Sequence, residues 1–360
     1  MSYSKKNTKK KIFFVLNTNV MFGAELVNLE IINSLRDKYD FYWVSQSGDV
    51  DSFLIDSNIK HIKISNLTVR ELKRVVKQYR PDILHATDYR ATVICALAGG
   101  GIPIIAHVHN NSPWLKRICP YAIVFGAAAW RSEYVLAVSD SIEREYVFSR
   151  LLHKKIKTIG NPVSHRRIRL YLKDDAEIKK KYDICCVARL VKQKNPERFL
   201  RILKRLKKSN PRIRAVWVGE GEMTEQICWL AEDMDLKDNI KFVGYKKNPY
   251  KIMSQSKIFV LTSSWEGYGL AAYEALALGL PCVVSKVGGL PEIVTNECGK
   301  TCESEQDFVV EIKRLLKNEK YYKTKASAAK YRACLLEEQN STIDMVDECY
   351  GDIVSQRLHA

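Results

Sequence analysis

Short β-rich apolar runs alternate with stretches of helical spacing along almost the whole chain, and the alternation restarts once. Ile12 to Asn17, Phe41 to Ser45, Ile59 to Ile64, Ile83 to His85, Ile104 to His109, Val135 to Ser139 and Ile156 to Ile159 read as strands. Between them, Ala24 to Leu35 and Val69 to Gln78 carry apolar residues at helical spacing, and Pro81 closes the second. Such alternation argues for an α/β chain, a parallel sheet wrapped by helices.

The polar, charge-dense stretch from Ser164 to Lys181 has no sustained apolar period and reads as a linker. Beyond it, strands are expected at Ile184 to Ala188, Ala215 to Gly219, Ile240 to Gly244, Ile258 to Thr262 and Pro281 to Ser285. A length of 360 residues suits two domains of roughly 170 residues each. The expected organisation is a Rossmann-like domain over 1–163, a linker over 164–181 and a second Rossmann-like domain over 182–335. A helical tail over 336–360 would return to the first domain, and the two domains would face each other across a cleft.

Composition narrows the function classes. The apolar run Ile118 to Trp130 is interrupted by Pro120, bounded by Arg117 and Arg131, and well short of the ~20 residues of a spanning helix. Ile12 to Leu16 is too short for the core of a secretory signal, so a cytoplasmic protein is expected and its ten cysteines are read as reduced thiols. Cys298 and Cys302 have a loosely ligand-like spacing but no accompanying pair or His cluster. A net charge of +17 favours polyanionic partners. The basic runs lack interleaved aromatics, so nucleic acid is not an expected partner. Trp114, Lys116, Arg117 and Trp130, with the N-terminal lysines, suit either peripheral docking on an anionic inner leaflet or a buried helix with a basic rim.

The chemistry-bearing segment is Ser263-Ser264-Trp265-Glu266-Gly267-Tyr268-Gly269-Leu270-Ala271-Ala272-Tyr273-Glu274-Ala275, following the apolar strand. It reads as strand, glycine loop, helix. Gly267 and Gly269 would let backbone N–H groups approach a ligand, and the helix would turn its positive end toward an anion such as a diphosphate. Taken by itself, the same pattern also describes turn glycines and capping carboxylates. Val187-Ala188-Arg189-Leu190-Val191-Lys192-Gln193-Lys194-Asn195 places two cations just past the first strand of the second half, a pair that could equally be surface charge.

Together these segments resemble the retaining GT-B glycosyltransferases of family 4. Glu266 and Glu274 stand at the two positions of that family's EX7E motif, and Arg189 and Lys194 match its Arg-Leu-x-x-x-Lys segment. Val218-Gly219-Glu220-Gly221, Phe242-Val243-Gly244-Tyr245 and Val287-Gly288-Gly289-Leu290-Pro291-Glu292 follow in the family's order, so the resemblance covers nearly all of Tyr182 to Leu316. In the first half, Asn19 to Glu25 aligns with a Gly-Gly-Ala-Glu loop in which Phe22 replaces the first glycine, leaving Gly23 to donate its N–H near the donor phosphates. Pro81 to Ala86, Ala106 to Asn110 and Ala137 to Ser141 resemble consecutive strand ends, with His109 at the second.

The resemblance implies GT-B architecture and transfer of a sugar from a nucleoside-diphosphate sugar, bound as substrate with no separate cofactor or metal. Arg189 and Lys194 would clamp the diphosphate. Glu266 with the loop amides of Gly267, Tyr268, Gly269 and Leu270 would hold the sugar, Glu274 the ribose, and Gly244 would lie near the base. His109 would contact the transferred sugar or the acceptor. The expected acceptor is a lipid-linked or polysaccharide glycan of capsule, exopolysaccharide or lipopolysaccharide synthesis. A catalytically silent GT-B subunit that stabilises a partner transferase is the alternative, opposed by the intact Arg189, Lys194, Glu266 and Glu274.

Overall fold

The computed structural model describes residues 9–164, 168 and 179–358, so most of the expected linker, 165–167 and 169–178, lies outside the described residues. The chain forms two compact units, Met1–Pro162 with Asn340–Ala360, and Val163–Gln339.

The first unit is built on a seven-stranded sheet: β1 (Lys11–Val15), β2 (Asp40–Ser45), β3 (Lys60–Lys63), β4 (Ile83–Thr87), β5 (Ile104–Val108), β6 (Tyr134–Ala137) and β7 (Ile156–Thr158), in the order β3-β2-β1-β4-β5-β6-β7. Every pairing is parallel. A parallel strand covered by helices on both sides must be apolar at consecutive positions. That is the case for Ile12, Phe13, Phe14 and Val15, none of which is exposed.

Local chemistry sets the helix ends. Thr68 accepts a hydrogen bond from the Glu71 N–H to open the helix Val69–Tyr79, and Arg80, with φ +49°, closes it just before Pro81. The tail, expected to be helical from Tyr321 to Leu358, is two helices, Glu319–Glu338 and Thr342–Leu358. The break falls where Asn340 and Thr342 turn their side chains to the carbonyls of Asn161 and Ile159. The last helix is then fixed to the first sheet by bonds from Tyr39 and Tyr134 to Asp347 and Asp352, and by a buried contact between Tyr350 and His85.

The second unit carries β8 (Tyr182–Val187), β9 (Ala215–Val218), β10 (Ile240–Phe242), β11 (Ser256–Leu261), β12 (Cys282–Ser285) and β13 (Gly299–Cys302), ordered β10-β9-β8-β11-β12-β13 and again parallel throughout. β13 was not expected from the sequence. It is an edge strand of four residues, Gly-Lys-Thr-Cys, too short and too polar to make an apolar run, and its glycine is required because a Cβ at Gly299 would lie 1.9 Å from the Cys282 carbonyl oxygen. Cys298 and Cys302 flank this edge as buried free thiols, and among the described residues no group of three or more His, Cys, Asp or Glu is placed to hold a metal. No helix among them is long and apolar enough to cross a membrane.

Candidate functional site

In both sheets the chain reverses its direction of strand addition once, between β1 and β4 in the first and between β8 and β11 in the second. Open α/β sheets bind ligands at the carboxyl ends of the strands beside such a switch point. Most sequence candidates follow the strands at these two places; Gly244 follows the edge strand β10, and His109 follows β5, next to β4.

In the second unit, Arg189 follows two residues past the end of β8, and β11 runs into Thr262 and the loop that follows. The two loops are fastened to each other by the Ser264 N–H to the Gln193 carbonyl at 2.8 Å, Gln193 Nε2 to the Trp265 carbonyl at 3.0 Å, and the Thr262 hydroxyl to the Asn195 carbonyl at 3.0 Å. Asn195 itself adopts φ +49° and caps the helix Pro196–Lys207 by accepting from the Arg198 N–H. This bracing delivers Lys194 to Glu266. Lys194 Nζ donates to Glu266 Oε1 at 2.5 Å, and the Ser263 hydroxyl donates to the same oxygen at 2.7 Å. Both partners are mostly buried, with side-chain exposures of 17% and 7%. A cation and a carboxylate held this way are the groups that would meet, respectively, an anion and a hydroxyl donor of a ligand at this place.

Glycines allow the close approaches. A Cβ on Gly288, whose φ is +55°, would lie 2.0 Å from the Glu266 carbonyl oxygen, and the Gly289 N–H donates to the Gly267 carbonyl at 2.9 Å. On the other side, a Cβ at Gly219 would lie 2.1 Å from the Ala188 carbonyl oxygen, so β9 backs directly onto the residue before Arg189. Gly244, with φ +68°, closes on the Glu220 carboxylate, which accepts from the Tyr245 N–H at 3.0 Å.

Gly269 takes φ +105° to start the helix Leu270–Ala277, whose first N–H groups follow the loop. Glu274, buried on this helix, accepts from the Tyr250 hydroxyl at 2.9 Å. Tyr268 is buried, and burial pushes its phenol up to about 12. Arg189, Lys194, Gly244, Gly267, Tyr268, Gly269, Leu270 and Glu274 thus belong to one end of one sheet. The Trp265 indole N–H is buried beside them with no hydrogen-bond partner among the described residues, a feature that no residue pattern in the sequence marks.

In the first unit, Gly23 opens the helix Gly23–Leu35 after β1, and Glu25 reaches back to the Phe22 N–H at 3.0 Å. Phe22 therefore replaces a glycine without disturbing the helix start. His109 follows β5 and packs against His107, ring centroids 3.9 Å apart; its two ring nitrogens are buried without a hydrogen-bond partner among the described residues. Burial holds His109 neutral, its imidazole lowered to about 3.

Asp88 was not expected from the sequence. It sits where β4 becomes the helix Asp88–Ala98, with φ +63°, and accepts from the His109 N–H at 2.8 Å. Loss of hydration raises its carboxyl to about 7; the His109 N–H opposes the rise and nearby Glu25 adds to it. The available signal was an acidic residue directly after a strand at the switch point. Gly23 and His109 occupy the same end of this sheet.

The Anabaena protein HepE, solved in complex with UDP and glucose, superimposes with a TM-score of 0.81 at 20% identity, covering 96% of this chain and all of that one. The fold is the GT-B fold, two parallel-sheet Rossmann-like units. Models described as Glycosyltransferase Family 4 and Glycosyl transferases group 1 match residues 23–167 and 169–332, and the chain belongs to this family of glycosyltransferases. Among its relatives, the Escherichia coli UDP-Gal:alpha-D-GlcNAc-diphosphoundecaprenol alpha-1,3-galactosyltransferase is 26% identical over 81% of this chain and 83% of its own length. The Bacillus anthracis N-acetyl-alpha-D-glucosaminyl L-malate synthase is 24% identical over 79% and 78%.

Proposed function

We propose that this glycosyltransferase moves a hexose from a UDP-sugar, with retention of anomeric configuration, onto a hydroxyl of a diphospholipid-linked glycan in surface-polysaccharide synthesis. The observation that carries the donor side is the Lys194–Glu266 pair at the β8/β11 switch point, beside Arg189 and an amide-lined helix start. The donor's diphosphate takes Lys194 from Glu266, and Arg189 adds the second positive charge. Glu266, released, accepts from sugar hydroxyls, and Glu274, oriented by Tyr250, accepts from the ribose. The positive charge that a departing diphosphate needs is assigned to Arg189, Lys194 and the helix amides, with no separate cofactor or metal.

The bond from the anomeric carbon to the phosphate oxygen breaks as the acceptor oxygen bonds to that carbon on the same face, and the acceptor proton passes to the departing phosphate. In the first unit, neutral His109 and Asp88 are assigned to acceptor hydroxyls. UDP is the proposed nucleotide because the Escherichia coli relative is named for UDP-Gal and HepE was solved with UDP. The two reported relatives are named for different acceptors, a diphosphoundecaprenol-linked sugar and L-malate. The lipid-linked choice is favoured by a positively charged chain, +17, meeting an anionic diphospholipid.

The test is transfer from UDP-galactose, UDP-glucose and their N-acetyl counterparts to a synthetic polyprenyl-diphosphate-linked N-acetylhexosamine, followed by NMR of the new anomeric proton. An α-linked product supports the reading. A β-linked product overturns retention, and transfer to water-soluble acceptors alone overturns the lipid-linked assignment.

A further inference from the structure

The helix Pro120–Arg131 in the first unit is apolar on both sides. Ala122, Phe125, Ala128 and Ala129 pack inward, whereas Ile123 and Val124 are 51% exposed, Trp130 63% and Tyr121 74%, and Ile118 just ahead of the helix is 70% exposed. A helix on a water-facing surface carries a polar outer face. This one does not, and at 12 residues it is about 18 Å long, too short to cross a bilayer ~30 Å thick.

Up to the end of the helix the charges along the chain are of one sign, and exposed Glu133 follows it. No Asp or Glu occurs between Asp88 and Glu133, although the chain holds 41 of them. Lys116 and Arg117 precede the helix; Arg131 ends it, donating to the Ile102 carbonyl at 3.3 Å, and Lys155 donates to the Trp130 carbonyl at 2.8 Å. Among the described residues, Lys116 alone of these is paired with a carboxylate, Glu145, at 2.5 Å.

We infer that this face docks, in the plane of the interface, on an anionic lipid bilayer, with Tyr121, Val124 and Trp130 among the headgroups and Arg117, Arg131 and Lys155 on lipid phosphates. Amphipathic aromatics and basic residues around a short apolar strip suit that environment. A second copy of the chain suits it less well, because a two-fold interface here would set Arg117, Arg131 and Lys155 against their own copies.

The test floats the full-length protein with phosphatidylcholine vesicles, with and without 30% phosphatidylglycerol (about 30%, a composition giving a strongly negative surface), using wild type, Ile123→Glu/Val124→Glu and Arg117→Glu. Wild type should float with the anionic vesicles, several-fold less with the neutral ones, and less as salt rises. The double variant should lose at least tenfold, and Arg117→Glu several-fold. Both should keep the wild-type melting temperature and nucleoside diphosphate release, which separates lipid binding from the donor site. Equal flotation of wild type and double variant, or no flotation of wild type with anionic vesicles, overturns the inference. A sedimenting dimer that the double variant dissolves, without vesicle binding, overturns it in favour of self-association.

Discussion

Replacing Gly288 by alanine is the sharpest probe of how the donor loop is held. The new Cβ would lie 2.0 Å from the Glu266 carbonyl oxygen and 2.7 Å from its carbon, so the loop carrying Glu266 must retreat by more than an ångström. The φ of +55° adds about 1–2 kcal/mol of strain for any residue with a Cβ. A displacement of about 1 Å at a positioning element costs on the order of 100-fold in rate, or roughly 2.7 kcal/mol of transition-state stabilisation. Gly100→Ala supplies the control, because its φ is +59° but its Cβ meets nothing within 4 Å. Steady-state nucleoside diphosphate release should therefore show kcat/KM down about 100-fold in Gly288→Ala and unchanged in Gly100→Ala, with the larger loss of melting temperature in Gly288→Ala. If Gly288→Ala stays within threefold of wild type, or Gly100→Ala loses as much, the argument from close approach fails.

Other expectations follow from the same contacts. Lys194→Met leaves the mostly buried Glu266 without its cation and should cost about 3 kcal/mol, part of which Lys194→Met/Glu266→Gln should restore while turnover stays lost; denaturant melts and turnover separate the two effects. Tyr350→Phe removes the hydroxyl 2.7 Å from His85 Nδ1 in a fully buried site and should destabilise the first unit by about 1–3 kcal/mol without changing nucleotide affinity, read by thermal melts and calorimetry. Burial depresses His85 and His109 to about 3 and lowers His107 as well. Their stabilisation is full above the unfolded imidazole value near 6.5 and is lost as pH falls below it, at up to about 1.4 kcal/mol per histidine per pH unit. Asp88, raised to about 7, works in the opposite direction over the same range, so these four groups together should lower stability by at most roughly 3 kcal/mol per pH unit from pH 6.5 downward. Urea melts at pH 7.5 and 5.5 that coincide would refute this.

Much of the architecture was legible because parallel strands covered on both faces announce themselves as unbroken apolar runs, as in Ile12 to Val15 and Ile258 to Leu261. β13 stayed hidden because an edge strand of Gly-Lys-Thr-Cys has no such run. Candidate residues were legible where a local pattern carried them, the two cations after β8 and the glycine loop after β11. Their pairing was not. Lys194 and Glu266 are 72 residues apart and meet only because the strand order puts β8 beside β11. The same holds for Tyr350 and His85, 265 residues apart. Asp88 escaped notice because one acid after a strand is common in sequence; the desolvation and the His109 N–H that set it apart are tertiary.

The central claim is that Arg189, Lys194, Glu266 and Glu274 form one donor site for a nucleoside-diphosphate sugar. Its most direct test is nucleoside diphosphate release from a panel of such sugars by wild type, Arg189→Ala and Glu274→Ala. The account predicts release from one donor, abolished by both substitutions while the fold survives. Release that persists at the wild-type rate in either variant would contradict it.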